Sequence, residues 1–186
     1  MSIPSNGTNG WTLFLDRDGV LNERIPGGYV TRVRDFVWLE DTLEALKILS
    51  THFQYIIVVT NQQGIGKGLM TEEKLHQIHA HMFQQVQECG GRIDKVYYCA
   101  GLAGVLPDCR KPAPVMAFQA QADFPDIDFS RSIMVGDTPS DMEFARNAGM
   151  QGVRIMEDGH DELGFRVFPS LYRAVRYLIE MVEGDK

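Results

Sequence analysis

Two carboxylates, Asp16 and Asp18, stand two residues apart where an apolar run, residues 11–15, gives way to Gly19. Like charges that close raise each other's pKa, so holding them together costs free energy unless a cation or a phosphoryl group offsets it. An ordinary turn also favours Asp and Gly, so the pair means chemistry only in company. Three more clusters supply it. Thr60-Asn61-Gln62-Gln63-Gly64 follows an apolar run, Arg110-Lys111 precedes Pro112, and Asp137 and Asp141 flank Thr138-Pro139-Ser140. Acids, a hydroxyl and a basic pair together suit phosphoryl chemistry. Oxygen donors fit Mg2+, which takes few protein carboxylates and completes its shell with water and substrate phosphate. Lys111 and Thr60 can hold phosphate oxygens.

Something must bring these clusters together. Five β-rich runs, at 11–16, 55–60, 95–99, 132–137 and 152–155, alternate with helical patterns at 42–49, 71–88, 114–122, 140–148 and 171–182. The continuous apolar run from Tyr55 to Val59 reads as a central parallel strand covered on both faces. The helix at 71–88 carries Leu75, Ile78, Met82 and Val86 on one stripe and Glu72 and Glu73 in its first turn, and Ser170 suits the N-cap of the last helix. Strands alternating with helices predict right-handed crossovers and an α/β, Rossmann-like fold, a parallel five-stranded sheet with helices on both faces. In open parallel sheets ligands bind beyond the carboxyl ends of the strands. All four clusters fall there. The stretches 19–35 and 100–110 are too short for an independent cap domain, so the cap is minimal and the mouth is expected to be open.

The 186 residues, 44% of them apolar, suit one domain over 11–186 behind a polar tail at 1–10. A net charge of −7 argues against general nucleic-acid binding. No run approaches the ~18 apolar residues of a membrane span, and the polar start is unlike a signal peptide. Three cysteines, Cys89, Cys99 and Cys109, are too few for a disulfide framework. A cytoplasmic, monomeric or weakly dimeric protein with no membrane partner is expected. Gly64-Ile65-Gly66-Lys67-Gly68 lacks P-loop spacing and reads as a loop beside the pocket, with Lys67 near substrate. His76, His79 and His81 read as a solvated helix flank, and Trp11 and Trp38 as packing residues.

Four ordered motifs, DRDGVLN (16–22), VVTNQQGIGKG (58–68), CRKPAP (109–114) and VGDTPSDMEFARNAG (135–149), span nearly the whole chain. Together they resemble the haloacid dehalogenase (HAD) superfamily of aspartate-nucleophile phosphatases. Within it, DRDG…GY, TNQxGI and CRKP are similar to the branch of D-glycero-D-manno-heptose 1,7-bisphosphate phosphatases and histidinol-phosphatases. The resemblance implies the HAD fold, Mg2+ as cofactor and a small phosphorylated sugar as substrate, with loss of the C7 phosphate of a heptose 1,7-bisphosphate. Histidinol phosphate, a DNA 3′-phosphate and a receiver-like phospho-acceptor without turnover are its rivals. Asp18 speaks against the last, because a phospho-acceptor needs no acid for a leaving group.

The roles it implies are these: Asp16 the nucleophile, Asp18 the general acid and base, Thr60 and Lys111 stabilisers of the transferring phosphoryl group. Asp16, the backbone carbonyl of Asp18 and Asp137 would hold the metal. Asn61, Gln62, Lys67 and Arg110 would bind substrate, and Asp141 would orient Lys111 or a metal-bound water. That branch typically carries a structural zinc loop, of which Cys99 and Cys109 match the outer positions while Gly101 and Pro107 replace the inner ligands. Two thiolates do not close a four-ligand site, so structural zinc is expected to be absent, leaving a weak two-cysteine site or a disulfide. Thr138 stands where relatives often place Lys.

Overall fold

A computed structural model describes residues 10–106, 108–157, 159 and 163–184. The expected tail at 1–10 therefore lies outside the described residues except for Gly10, as does Pro107. The strands are β1 (Thr12–Leu15), β2 (Tyr55–Asn61), β3 (Lys95–Cys99), β4 (Ser132–Gly136), β5 (Gln151–Ile155) and β6 (Arg166–Phe168). The helices are α1 (Thr42–Leu49), α2 (Gln63–Gly66), α3 (Glu72–Glu88), α4 (Val115–Asp123), α5 (Pro139–Ala148) and α6 (Leu171–Glu183). The sheet is parallel throughout, in the order β3-β2-β1-β4-β5-β6.

Strand alternation explains why the central strands are apolar without interruption. Leu13 and Leu15 of β1, Ile56 and Val58 of β2, and Ile133 and Val135 of β4 pack with Leu46, Ile78 and Leu178 of α1, α3 and α6. Phe14, Ile57, Val59 and Met134 point to the other face and meet Met116 of α4 and Phe144 of α5. With both faces covered, a polar group on a strand in the middle of the sheet is costly unless it finds a partner. Helix ends follow their caps. Thr71 accepts the N–H of Lys74 at 3.3 Å to open α3, and Ser170 accepts that of Arg173 at 3.2 Å to open α6.

Two elements depart from the sequence expectation. The sheet has six strands and not five, because Arg166–Phe168 adds in parallel to the edge at β5. Three residues beginning with an exposed Arg carry no usable alternation, and an edge strand has a neighbour on one side only. The segment after β2, read as a loop, makes one turn of helix as α2, held by the Lys67 N–H donating to the Gln63 carbonyl at 3.0 Å. Its two glycines give it almost no intrinsic helix propensity. Between β1 and α1 the chain adds only a 3-10 turn at Val33–Asp35 and isolated bridges of Asn22 to Asp18 and Trp38. No helix of the described residues is long and apolar enough to cross a membrane.

The chain runs outward from β1 to β2 and β3, then returns across β1 to β4. The carboxyl end of β1 is therefore the switch point at which crossovers part to opposite faces, and a crevice opens there. Phe144 fastens α5 under that point and is fully buried. Truncating Phe144→Ala is expected to cost about 3–5 kcal/mol by loss of burial plus cavity, read as a lowered urea midpoint with an unchanged m-value.

Candidate active site

Asp16 is the residue just past β1, and its N–H donates to the Val135 carbonyl at 2.9 Å, continuing the sheet ladder by one step. Its carboxylate is thereby fixed to the sheet rather than to a loop. The chain then doubles back, with the Leu21 N–H donating to the Arg17 carbonyl at 2.9 Å. Gly19 takes a φ of +94°, and any Cβ there would collide with the Asp137 carboxylate. Glycine is thus required on two counts, and it is what lets the first and fourth clusters touch.

Lys111 is the electrostatic centre. Only 4% exposed, its ammonium has three protons and three acceptors: Asp16 Oδ1 at 2.8 Å, Asp141 Oδ1 at 2.6 Å and the Val59 carbonyl at 2.9 Å. Asn61 holds the Lys111 backbone from both sides, its Oδ1 accepting the N–H at 3.0 Å and its Nδ2 donating to the carbonyl at 3.3 Å. Asp141, the fully buried N3 residue of α5, completes a capping box by accepting the Thr138 N–H at 2.9 Å. Gly136 must lack a side chain because the Asp141 side chain stands where its Cβ would be. Asp141 thus stands against Lys111, 2.6 Å from its ammonium.

Asp18 is held differently. One guanidinium nitrogen of Arg17 lies 2.9 Å from each of its oxygens, Asn22 donates to Oδ1 at 3.0 Å, and Gln62 Nε2 donates to Oδ2 at 3.0 Å. The same Gln62 nitrogen donates to Thr60 Oγ1 at 2.9 Å. Gln62, expected to touch substrate, is instead buried behind the site and sets the Asp18 and Thr60 side chains. Thr60, Asn61, Lys67, Arg110 and Lys111 all border a cavity of about 420 Å³ with Asp16 and Asp18 at its floor. Lys67 donates to the Tyr29 hydroxyl at 3.1 Å and lies over that ring, and Arg110 donates to the Gly101 carbonyl at 3.4 Å.

Sequence reading missed two groups. His79, taken for a solvated flank, is 5% exposed, and its Nε2 accepts from the fully buried Arg17 at 3.3 Å. Arg17 is a donor only, so the facing nitrogen is the acceptor. An apolar neighbour at the helical spacing of Leu75, Ile78 and Met82 was the available signal. Arg24 is the second: its Nη2 lies 2.7 Å from Asp137 Oδ1, 3.1 Å from the Asp18 carbonyl and 3.9 Å from Asp16 Oδ2. Nothing in its spacing marks it. Cys99 and Cys109 form a disulfide, with Cα atoms 5.6 Å apart. Of the two options left open for that pair, this is the one realised. A Cβ at Gly101 would lie 3.5 Å and 3.8 Å from the two sulfurs, so the position that carries a ligand in the zinc-loop pattern does face them.

The electrostatics separate the acids. Burial raises Asp16 above the ordinary carboxylate range against the pull of Lys111, with Asp141 and Asp137 adding to the rise. Burial raises Asp137 likewise, against Arg24. Burial would raise Asp18 too, but Arg17 and the hydrogen bonds from Asn22 and Gln62 outweigh it and its pKa falls. Burial disfavours the Lys111 ammonium, yet Asp141 and Asp16 prevail and raise its pKa. One oxygen each from Asp16, Asp137 and Asp141 lies within 4.8 Å of the others. Asp141 is committed to Lys111 and Thr138, which leaves Asp16, Asp137 and the Asp18 carbonyl as an all-oxygen set facing a positive guanidinium nitrogen. Hard oxygen donors around a point that already attracts a cation fit Mg2+.

A family model described as HAD-hydrolase-like matches residues 108–164. A D-glycero-alpha-D-manno-heptose-1,7-bisphosphate 7-phosphatase of Mycobacterium tuberculosis is 43% identical over 137 residues, 74% of this chain and 72% of the relative. A D-glycero-beta-D-manno-heptose-1,7-bisphosphate 7-phosphatase of Vibrio cholerae is 38% identical over 77% of this chain and 79% of its own. The crystal structure of the D,D-heptose 1,7-bisphosphate phosphatase of B. bronchiseptica, in complex with magnesium and phosphate, superposes with a TM-score of 0.83 at 27% identity, covering 92% of this chain and 99% of that one.

His79 carries a pH signature. Burial, then Arg17 and His76, lower its pKa from 6.5 to about 3. The unfolded chain therefore binds a proton that the folded one refuses, so this contribution to stability is full above pH 6.5 and is lost as pH falls toward 3. His79→Asn, which keeps an acceptor for Arg17, is expected to remove about 1.4 kcal/mol of the stability loss between pH 7.5 and 5.5. Urea midpoints of the two proteins at both pH values check this.

Proposed function

The chain belongs to the heptose-1,7-bisphosphate 7-phosphatase family of HAD-like hydrolases, and from that membership we propose that it removes the 7-phosphate of a D-glycero-D-manno-heptose 1,7-bisphosphate. The reaction is a Mg2+-dependent phosphomonoester hydrolysis through an aspartyl-phosphate on Asp16. The observation that carries this reading is the division of charge in one cavity. A buried acid–ammonium cluster, Asp16 with Lys111, sits at the floor, and Arg24, Lys67 and Arg110 stand around it. A substrate with a phosphate at each end has a place for both.

In the first step the Asp16 carboxylate attacks phosphorus, the bond to the sugar oxygen breaks, and Asp18 gives that oxygen its proton. In the second, water attacks the aspartyl-phosphate, loses a proton to Asp18, and releases phosphate with Asp16 restored. Lys111 keeps Asp16 from rotating and, with Thr60, offsets charge on the equatorial oxygens. The four hydrogen bonds on Asp18 favour its ionised form, the base of the second step. An incoming phosphate dianion raises its pKa again, so that Asp18 takes up a proton from water and enters the first step as the acid. Mg2+ held by Asp16, the Asp18 carbonyl and Asp137 would lower the repulsion between carboxylate and phosphate. Every named group comes from one chain, which supports a working monomer.

The relative at 43% identity acts on the α anomer, and we read the same preference here. The test is Mg2+-dependent phosphate release from both heptose 1,7-bisphosphate anomers, histidinol phosphate and a 3′-phosphorylated oligonucleotide. A kcat/KM on the α anomer at least ~100-fold above histidinol phosphate and the oligonucleotide, worth about 2.7 kcal/mol, is expected, with a smaller margin over the β anomer. Equal rates across the panel would refute the substrate while leaving the phosphatase. Asp16→Asn should lose about 10⁴-fold or more in kcat with its fold intact by circular dichroism.

A further inference from the structure

Arg24 belongs to none of the four motifs, yet one atom of it sits at the centre of the site. Its Nη2 is shared among Asp137 Oδ1 at 2.7 Å, the Asp18 carbonyl at 3.1 Å and Asp16 Oδ2 at 3.9 Å. Those are the three oxygen donors assigned above to the metal. A guanidinium nitrogen and a divalent ion cannot occupy the same few cubic ångströms, and two positive charges there would repel at short range. The rest of the side chain is not locked in place: it is 47% exposed and reaches in from the loop after β1.

We propose that Arg24 is an internal cation that fills the metal position, and that Mg2+ binds by displacing it. This rests on the reading that Asp16, the Asp18 carbonyl and Asp137 hold the metal. The arrangement answers a physical need. Two buried acids, Asp16 and Asp141, and the half-buried Asp137 share a single buried ammonium, that of Lys111, and burial of further negative charge is expensive. Arg24 supplies the second positive charge without the metal. Its charge-assisted bond to Asp137 must open before the ion can enter, so the apparent metal affinity is reduced by the fraction of molecules in which Arg24 has left.

The test measures Mg2+ affinity without substrate, by calorimetry and by the rise in melting temperature with Mg2+. Arg24→Met keeps the aliphatic stem and removes the guanidinium. It should bind Mg2+ about tenfold or more tightly than wild type, the scale of one lost charge-assisted hydrogen bond, and melt lower than wild type before Mg2+ is added. Lys67→Met removes a cation from the same cavity that touches none of the three oxygens, and should tighten binding far less. In wild type the Arg24 Nε resonance, assigned by its loss in Arg24→Met, should move on adding Mg2+ while those of Arg92 and Arg176 stay. Unchanged or weaker Mg2+ binding in Arg24→Met, or equal tightening in Lys67→Met, overturns displacement. Asp137→Asn separates the two claims. If it binds Mg2+ as well as wild type, the metal assignment itself fails.

Discussion

A lysine ammonium excluded from water, with a carboxylate on either side, is the constraint from which the rest of this structure follows. Alone, the Lys111 charge would be prohibitively costly to bury, and so would Asp16 and Asp141. Together, at 2.8 and 2.6 Å and with the Val59 carbonyl taking the third proton, they are tolerated. Each partner comes from a different element, so the cluster is also a geometric lock. β1 delivers Asp16, β2 delivers the Val59 carbonyl and the Asn61 clamp, and α5 delivers Asp141 through its own N-cap. A shift of any one element would strand a buried charge, a penalty of several kcal/mol. The parallel sheet places three carboxyl ends side by side, and the charge cluster sets how finely they must be aligned.

Much of this was legible in the chain because it rests on patterns with a physical period or a steep cost. Central strands covered on both faces have to be continuously apolar, and Tyr55 to Val59 shows it. Gly19 is required by the side chain of Asp137, far away in sequence, and Gly136 by that of Asp141 in its own motif, and both mark the motifs that carry Asp16, Asp18, Asp137 and Asp141. What stayed hidden is of another kind. β6 gains its order from the edge it joins and not from its own three residues. His79 looks like its polar neighbours until Arg17, 62 residues away, is seen to need an acceptor. Gln62 and Arg24 are placed by loops whose course has no sequence period at all. Local pattern reports burial; it does not report which distant polar groups a side chain will satisfy.

The Cys99–Cys109 link ties the segment between β3 and the Arg110-Lys111 pair by a device other than the zinc-loop pattern. In the zinc-loop arrangement four ligands hold the segment before the Arg-Lys pair. Here Gly101 leaves the two outer sulfurs without a third donor, and they close on each other across a separation of ten residues. A covalent tie needs two partners where a metal needs four. Either device fixes the loop that ends in Arg110 and Lys111, and Lys111 cannot be loosely held without freeing a buried charge.

Net charge and site charge point in opposite directions, and the difference is informative. The chain carries −7 overall, a field that repels anions at long range, although salt screens it within about 8–10 Å. An anionic substrate is therefore drawn only by charges it meets inside that distance: Arg24, Lys67 and Arg110 beside the cavity, then Lys111 at its floor. With no cap domain among the described residues to close over the site, discrimination has to come from these cations. A ligand with one phosphate satisfies the floor and leaves the outer cations to water, whereas a second phosphate engages both. Selectivity for a doubly phosphorylated sugar is the form of specificity that an open, minimally capped crevice of this charge pattern can achieve.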